Sequence, residues 1–211
     1  MKKSLTLAQQ NGCASIAIPA VSSGIFGFPL QLCAETIAKS VRDHCEGSHR
    51  SSLTKIHLVN NDDKTVQAMT QAVSEAFAER QLQILSQRRS SSKIEQRRHT
   101  KEGLKIVLSK GNIEDVSTKV IVNTISQDLD LSQGAVSKAI LQAAGHELQS
   151  AIRQKARRGM AEYGDVLHTP GFHLGSEVLH TVCPPWDNGT GQAQQVWPAV
   201  QASCQQGQTS L

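Results

Sequence analysis

Two stretches of this 211-residue chain pair a strand with a glycine-containing loop and a helix start, a pattern suited to gripping an anion on backbone N–H groups. In the first, the apolar run Ala14 to Ala20 passes through Val21-Ser22-Ser23-Gly24-Ile25-Phe26-Gly27-Phe28 and enters a helix at Pro29. In the second, Val120-Ile121-Val122-Asn123 leads through a polar loop to Ser132-Gln133-Gly134-Ala135-Val136-Ser137, where another helix begins. N–H groups in the first turn of a helix lack partners, and the helix dipole adds roughly half a positive charge at that end. Phosphates settle there without needing lysine. Gly24, Gly27 and Gly134 are expected to let the backbone approach a ligand and to take conformations that a β-carbon resists. Pro29 suits a first helical position. Neither loop carries Lys-Ser/Thr after a glycine run or a G-x-G-x-x-G pattern, so P-loop, kinase and Rossmann readings fit poorly. Either loop alone could be an ordinary strand-to-helix turn. Together they read as the two lips of a cleft for a pyrophosphate.

The elements that would position these loops alternate as in α/β proteins. Leu30, Cys33, Ile37 and Val41 recur at helical spacing and predict a helix with one buried stripe. Lys55 to Val59 predicts a strand, and Asp62, Asp63 or Thr65 can cap a following helix with the stripe Val66, Met69, Val73 and Phe77. Leu104, Ile106 and Leu108 alternate as a strand, and Val120 to Asn123 predicts a buried one. The helix Ala135 to Ala144 should stop at Gly145. A further helix is expected around Glu147 to Arg157, then a strand pair from Asp165 to Thr169 and Val178 to Cys183, closed by Pro184-Pro185.

Ser15-Ile16-Ala17-Ile18-Pro19-Ala20-Val21-Ser22-Ser23-Gly24-Ile25-Phe26-Gly27-Phe28-Pro29 resembles the second phosphate loop of macrodomains, modules that bind ADP-ribose. It is most similar to those of macrodomain-containing ADP-ribosyltransferases (poly(ADP-ribose) polymerases) of the B-aggressive-lymphoma type. Lys110-Gly111-Asn112-Ile113, Val120 to Asn123 and Gln133 to Ile140 resemble the beginning of a macrodomain in degenerate form. The order is reversed relative to the family. The resemblance therefore implies the C-terminal half of one macrodomain at 1–85, a basic Ser/Arg-rich linker at 86–103, the N-terminal half of the next at 104–206, and a tail at 207–211. It implies a macrodomain-like three-layer α/β/α fold with a mixed sheet, and leaves two arrangements open: the halves folding onto each other in circularly permuted order, which is the expected one, or remaining apart with exposed sheet edges and half a core each.

The same resemblance implies the site. Ser22, Ser23, Gly24, Ile25, Phe26 and Gly27 would bind ligand from one side, with N–H groups of Gly24 to Gly27 on the diphosphate and Phe26 against the proximal ribose. Gly134, Ala135 and Val136 would close from the other side, with Asn123 among the ligand-binding residues. Asn112 stands where the family commonly has an aspartate that accepts a hydrogen bond from the adenine amino group, and Asn can still accept. Ile113 would line the adenine pocket. The implied ligand is NAD-derived ADP-ribose, free or on ADP-ribosylated proteins, with no cofactor required. Nucleus and cytoplasm, and a part in transcription regulation, are implied for the parent protein.

Composition bounds this reading. With 38% hydrophobic and 3% aromatic residues, the chain can bury one sizeable core or two weak ones, mainly aliphatic. No run of about 18 apolar residues is present for a membrane helix. Met1-Lys2-Lys3 before Leu5, Leu7 and Ala8 reads as a helix stub, since the apolar stretch is too short for a signal peptide. The net charge of +4 comes largely from Arg88, Arg89, Lys93, Arg97, Arg98 and Lys101. These could contact nucleic acid or poly(ADP-ribose), but no aromatics interleave as a stacking platform, and a solvated linker is the favoured reading. Cys13, Cys33, Cys45, Cys183 and Cys204 lack C-x-x-C spacing, so reduced core thiols are expected rather than a zinc site or disulfide framework. His168, His173 and His180 are expected to be structural or surface residues. Trp186 is expected to pack near the cleft.

Catalysis has weak support. Macrodomains that remove ADP-ribose usually carry a second asparagine and an acidic residue where this chain has Ser126 and Ser137, and neither serine is a general base without an activating partner. Asp128 and Asp130 are expected to be turn residues. The expected role is a reader module without catalytic residues. Transfer activity, if the parent has it, would lie in a domain absent here. An ADP-ribosyl hydrolase and a non-binding interaction fragment are the alternatives.

Overall fold

The computed structural model describes residues 1–47, 52–78, 83–84, 95–156 and 161–185. In chain order the helices are α1 (Lys2–Gln10), α2 (Leu30–Gly47), α3 (Asp63–Ala76), α4 (Ala135–Ala144) and α5 (Glu147–Ala156). The strands are β1 (Ser15–Ile18), β2 (Lys55–Asn60), β3 (Gln83–Ile84), β4 (Glu95–His99), β5 (Lys105–Lys110), β6 (Val120–Ile125), β7 (Val166–Thr169) and β8 (Glu177–Val182), with a 3₁₀ turn at Ile113–Asp115. The strands form one mixed sheet in the order β3-β4-β5-β2-β1-β6-β8-β7. The inner five, β5-β2-β1-β6-β8, are parallel, and the outer pairs are antiparallel.

Parallel inner strands are covered on both faces, which is why most of their residues are buried, successive ones on opposite sides. Alternation then assigns each residue to a layer. Ile16, Ile18, Ile56, Leu58, Ile106, Leu108, Val120 and Val122 pack with Leu5 and Ala8 of α1, Ile37 and Val41 of α2, and Met69 and Val73 of α3. Ala17, Val59, Ile121, Ile125, Val178 and Val182 face the opposite way, against Ile140 and Ala144 of α4 and Leu148 and Ile152 of α5. The result is the three-layer α/β/α arrangement. Asp62 caps α3 by accepting from the Thr65 N–H at 2.8 Å, and α4 stops at Gly145, whose φ is +95°.

Strands from both ends of the chain share the sheet. β1 lies between β2, pairing Ser15 with Lys55, and β6, pairing Ile16 with Val120. Two local expectations change. α2 begins at Leu30, with Pro29 just outside and its carbonyl accepting from the Cys33 N–H at 2.9 Å. Within the stretch expected as a linker, Glu95–His99 is a strand paired antiparallel to β5, Arg98 opposite Ile106. β4 is held by backbone pairing, with β5 along its length and with the two-residue edge strand β3 at Arg98 and His99, and such pairing does not depend on apolar side chains, so no apolar alternation announces it. The basic residues Arg88, Arg89 and Lys93, together with Trp186, Cys204 and the 207–211 tail, lie outside the described residues.

Candidate functional site

The polypeptide leaves β1 toward α2, on one face of the sheet, and leaves β6 toward α4, on the other. β1 and β6 are parallel neighbours, so the loops that follow them diverge and open a crevice at the carboxyl end of the sheet. The turn after β5, carrying Asn112, emerges at this same end one strand beyond β2. Ser22, Asn60 and Thr124, which follow or end β1, β2 and β6, each carry a buried polar atom without a hydrogen-bond partner. Such orphans are uncommon in folded proteins; these three lie at the carboxyl end of the sheet, while others among the described residues, Arg42 and His44 on α2 and His57 within β2, lie away from it.

The loop after β1 is shaped by its own backbone. Asn60 Oδ1 accepts from the Ala20 N–H at 2.8 Å and anchors the start of the loop. The Cys33 thiol donates to the Val21 carbonyl at 3.0 Å; burial pushes that thiol up to about 12, which keeps it protonated as the donor this bond needs. Ser22 takes φ +68° and accepts on its carbonyl from the Phe28 N–H at 2.9 Å, and Gly27 also has φ +68°. The loop therefore needs left-handed residues at Ser22 and Gly27, not at Gly24. Gly24 has no positive φ, and a β-carbon added to it would meet nothing within 4 Å.

The expected donors divide accordingly. Among the described residues the N–H groups of Gly24, Ile25 and Phe26 face no acceptor and are available to a ligand. The Gly27 N–H is already engaged, donating to the Gly24 carbonyl at 3.0 Å, which corrects its expected place on the diphosphate. Phe26 is buried, with Ile25 exposed beside it and Ser23 folded back onto the Ala20 carbonyl at 2.9 Å.

The second lip begins at Gly134, with φ +80° and ψ 146°, a conformation open essentially to glycine alone. Ala135 and Val136 follow as the first residues of α4, their N–H groups free by helix geometry. The β-carbon position of Gly134 lies 3.2 Å from Ile25 Cδ1. The two loops, more than 100 residues apart in sequence, meet in space.

Asn123 works from behind this lip rather than on it. It is fully buried, and the Thr124 N–H donates to its Oδ1 at 2.9 Å. That contact turns Nδ2 toward Ser137 Oγ and His180 Nδ1, both at 3.2 Å. His180 Nδ1 must then accept, so Nε2 carries the proton toward Thr169 Oγ1 at 3.0 Å. Burial pushes His180 down to about 3, consistent with this neutral ring. Ser137 is the third residue of α4, so the network ties the first turn of α4 to β6, β8 and β7. Sequence reasoning marked Asn123 as a ligand contact and left its partners unassigned. The signal that could have found them is a polar residue inside each of three otherwise apolar segments.

At the far end of the crevice, Asn112 is exposed and its Nδ2 donates to Asp115 Oδ2 at 3.2 Å. Ile113 is buried with Ala17 and Val59 as part of the apolar floor. The Gly111 N–H donates to the Asn60 carbonyl at 3.0 Å, so Asn60 fixes both this turn and the start of the first loop. Its position, ending an apolar strand just before a helix cap, was not singled out from sequence.

The candidate catalytic groups are occupied structurally. The Ser126 hydroxyl donates to Asp128 Oδ1, which also accepts from the Asp130 N–H at 3.0 Å. Asp130 accepts from the Ser132 N–H at 2.9 Å, and that bond holds its carboxyl below the usual range. Both carboxylates are turn acceptors, and Ser137 is buried in the first turn of α4. His168 pairs with Glu177 at 2.9 Å, and His173 Nδ1 contacts the Ala144 carbonyl at 2.9 Å. Cys13, Cys33, Cys45 and Cys183 are free, buried thiols. Among the described residues no group of His, Cys, Asp and Glu could hold a metal ion, and no helix is long and apolar enough to cross a membrane.

A family model described as "Macro domain" matches residues 1–37 and 122–209. Human protein mono-ADP-ribosyltransferase PARP14 is 33% identical over 219 residues, covering 99% of this chain and 12% of that protein. Mouse protein mono-ADP-ribosyltransferase PARP9 is 33% identical over 169 residues, covering 80% of this chain and 19% of that protein. The chain thus spans a small part of these relatives. In fold it is similar to the Oryza sativa APL macrodomain, solved in complex with ADP-ribose, with a TM-score of 0.61 at 18% identity, covering 90% of this chain and 96% of that one. A Dictyostelium discoideum ADP-ribose binding macrodomain gives a TM-score of 0.57 at 10% identity, covering 90% and 88%.

Proposed function

The chain belongs to the macrodomain family, and from that membership we propose that it is a reader module that binds ADP-ribose, free or on mono-ADP-ribosylated proteins. The observation that carries the reading is the meeting of Ile25 with Gly134, which brings free N–H groups on two loops to one crevice. In the bound state the N–H groups of Gly24, Ile25 and Phe26 hold the diphosphate from one side. Those of Gly134, Ala135 and Val136 hold it from the other, and Asn112 and Ile113 receive the adenine. No cofactor takes part.

We read the chain as the back half of one macrodomain followed by the front half of the next, from a tandem array in an ADP-ribosyltransferase of the B-aggressive-lymphoma type, folded here as a permuted domain. Strands of both halves sharing one sheet support this, as does likeness to two transferases over a small fraction of their lengths. The parent acts in nucleus and cytoplasm, with a part in transcription regulation; its transferase domain and its use of NAD lie elsewhere. Turn-bound Asp128 and Asp130 favour a binder over a hydrolase.

Calorimetry with ADP-ribose tests binding, and incubation with a mono-ADP-ribosylated acidic peptide tests cleavage. Binding without release is expected. Release of ADP-ribose would establish the hydrolase instead, and no heat with ADP-ribose would leave an interaction fragment.

A further inference from the structure

The 3₁₀ turn after β5 brings residues i and i+3 side by side, because three residues complete one turn. Asn112 precedes this turn and Asp115 ends it, and the Asn112 amide nitrogen donates to Asp115 Oδ2 at 3.2 Å. A carboxylate accepts and does not donate, so the nitrogen side of the amide is the side turned to Asp115. Asn112 Oδ1 caps no backbone N–H of the turn and takes no other bond among the described residues. The free group on this side chain is therefore an acceptor. An unheld amide would offer either face, since rotation by half a turn exchanges its oxygen for its nitrogen.

We propose that Asp115 is a specificity-determining residue of this site: by holding the Asn112 amide nitrogen it presents Oδ1 to the ligand, and so selects a base with an exocyclic amino group over one with a carbonyl in its place. The inference rests on the reading of the site given above, in which Asn112 meets the base of a nucleoside diphosphate ribose. Asp115 acts through Asn112 and touches no ligand atom itself. The pair together does what one carboxylate at position 112 would do alone, accept without the option of donating.

The test uses the full chain and two ligands, ADP-ribose and its hypoxanthine counterpart, in which a carbonyl replaces the amino group. The unmodified chain is expected to prefer ADP-ribose by about tenfold or more, and Asp115→Ala to reduce that preference to about threefold or less. The change should come mainly from tighter binding of the hypoxanthine ligand, because the released amide can turn its nitrogen to the carbonyl. Asn112→Asp combined with Asp115→Ala has no amide to turn, and the preference should return. The ratio of the two affinities is unaffected by partial unfolding, since both ligands meet the same folded fraction. An unchanged ratio in Asp115→Ala overturns the proposal and leaves ADP-ribose binding intact. Failure of the unmodified chain to bind either ligand overturns both.

Discussion

The β-carbon position of Gly134 stands 3.2 Å from Ile25 Cδ1, so the loop after β1 and the first turn of α4 are in contact across the crevice. Ile25 is 62% exposed, and it reaches this contact from an otherwise solvent-facing position. A side chain at 134 is opposed twice, by this contact and by the backbone. Gly134→Ala should cost about 1–3 kcal/mol, chiefly because φ +80° with ψ 146° suits glycine alone. Urea unfolding checks the value. Ile25→Ala added to Gly134→Ala should recover only a minor part of the loss, since it relieves the contact and not the backbone. Full recovery would show that the steric contact dominates.

Gly24→Ala separates binding from folding. No atom lies within 4 Å of the added β-carbon and no positive φ is required, so stability should change by less than about 0.5 kcal/mol. Affinity for ADP-ribose should nevertheless fall by about tenfold or more, because in the proposed complex the methyl group stands where the diphosphate meets backbone N–H groups. Gly24→Glu should abolish binding by adding a carboxylate next to a dianion. Unchanged calorimetric affinity in both variants would remove this loop from the site.

Asn123→Ala should weaken folding and binding together. It deprives the Thr124 N–H, His180 Nδ1 and Ser137 Oγ of a shared partner in a buried place. One buried polar group left unsatisfied costs about 1–3 kcal/mol, and a network loses more than a single pair. Ser137→Ala removes one member only and should cost less. Equal stability of the two variants in urea would argue against a network centred on Asn123.

Stability should fall as pH drops below the ordinary histidine range. Burial lowers His180 from 6.5 to about 3 and His57 from 6.5 to about 4, so both take up protons more readily when unfolded. The unfolded state then binds more protons below about pH 6.5, and stability is lost from there downward. His180 contributes a slope of about 1.4 kcal/mol per pH unit, while His57 contributes less because it is partly exposed. Ordinary carboxylates titrate near pH 4, so the interval from about pH 6.5 to pH 5 reports on the histidines. A Tm constant across that interval would contradict the neutral buried ring assigned to His180.

Much of the fold was readable from local pattern, because each inner strand and helix carries its own periodicity and end signals. Ser15–Ile18, Lys55–Asn60 and Val120–Ile125 announce themselves as apolar runs, Asp62 as a cap and Gly145 as a stop. Both glycine-containing loops were legible for the same reason: a glycine at a strand-to-helix junction is a local event. What escaped was non-local. β4 is a strand because β5, and β3 at its end, offer it backbone partners, and its own residues, Glu-Gln-Arg-Arg-His, show no strand pattern.

The identity of the usable groups also depended on contacts distant in sequence. Gly27 looked like a donor to ligand, yet its N–H closes a turn on Gly24. Gly24 looked conformationally special, yet Ser22 and Gly27 bear the left-handed backbone. Asn123 looked like a lip residue, yet His180 and Ser137 draw it under the helix. Amino-acid order alone was enough to place two strand-loop-helix junctions and the apolar layers around them, since both follow from short-range sterics and periodicity. Their convergence on one crevice was decided by the parallel pairing of β1 with β6, a contact between segments about a hundred residues apart. Side-chain periodicity carries no information about which strands become neighbours, so that step belongs to the packing of the whole sheet.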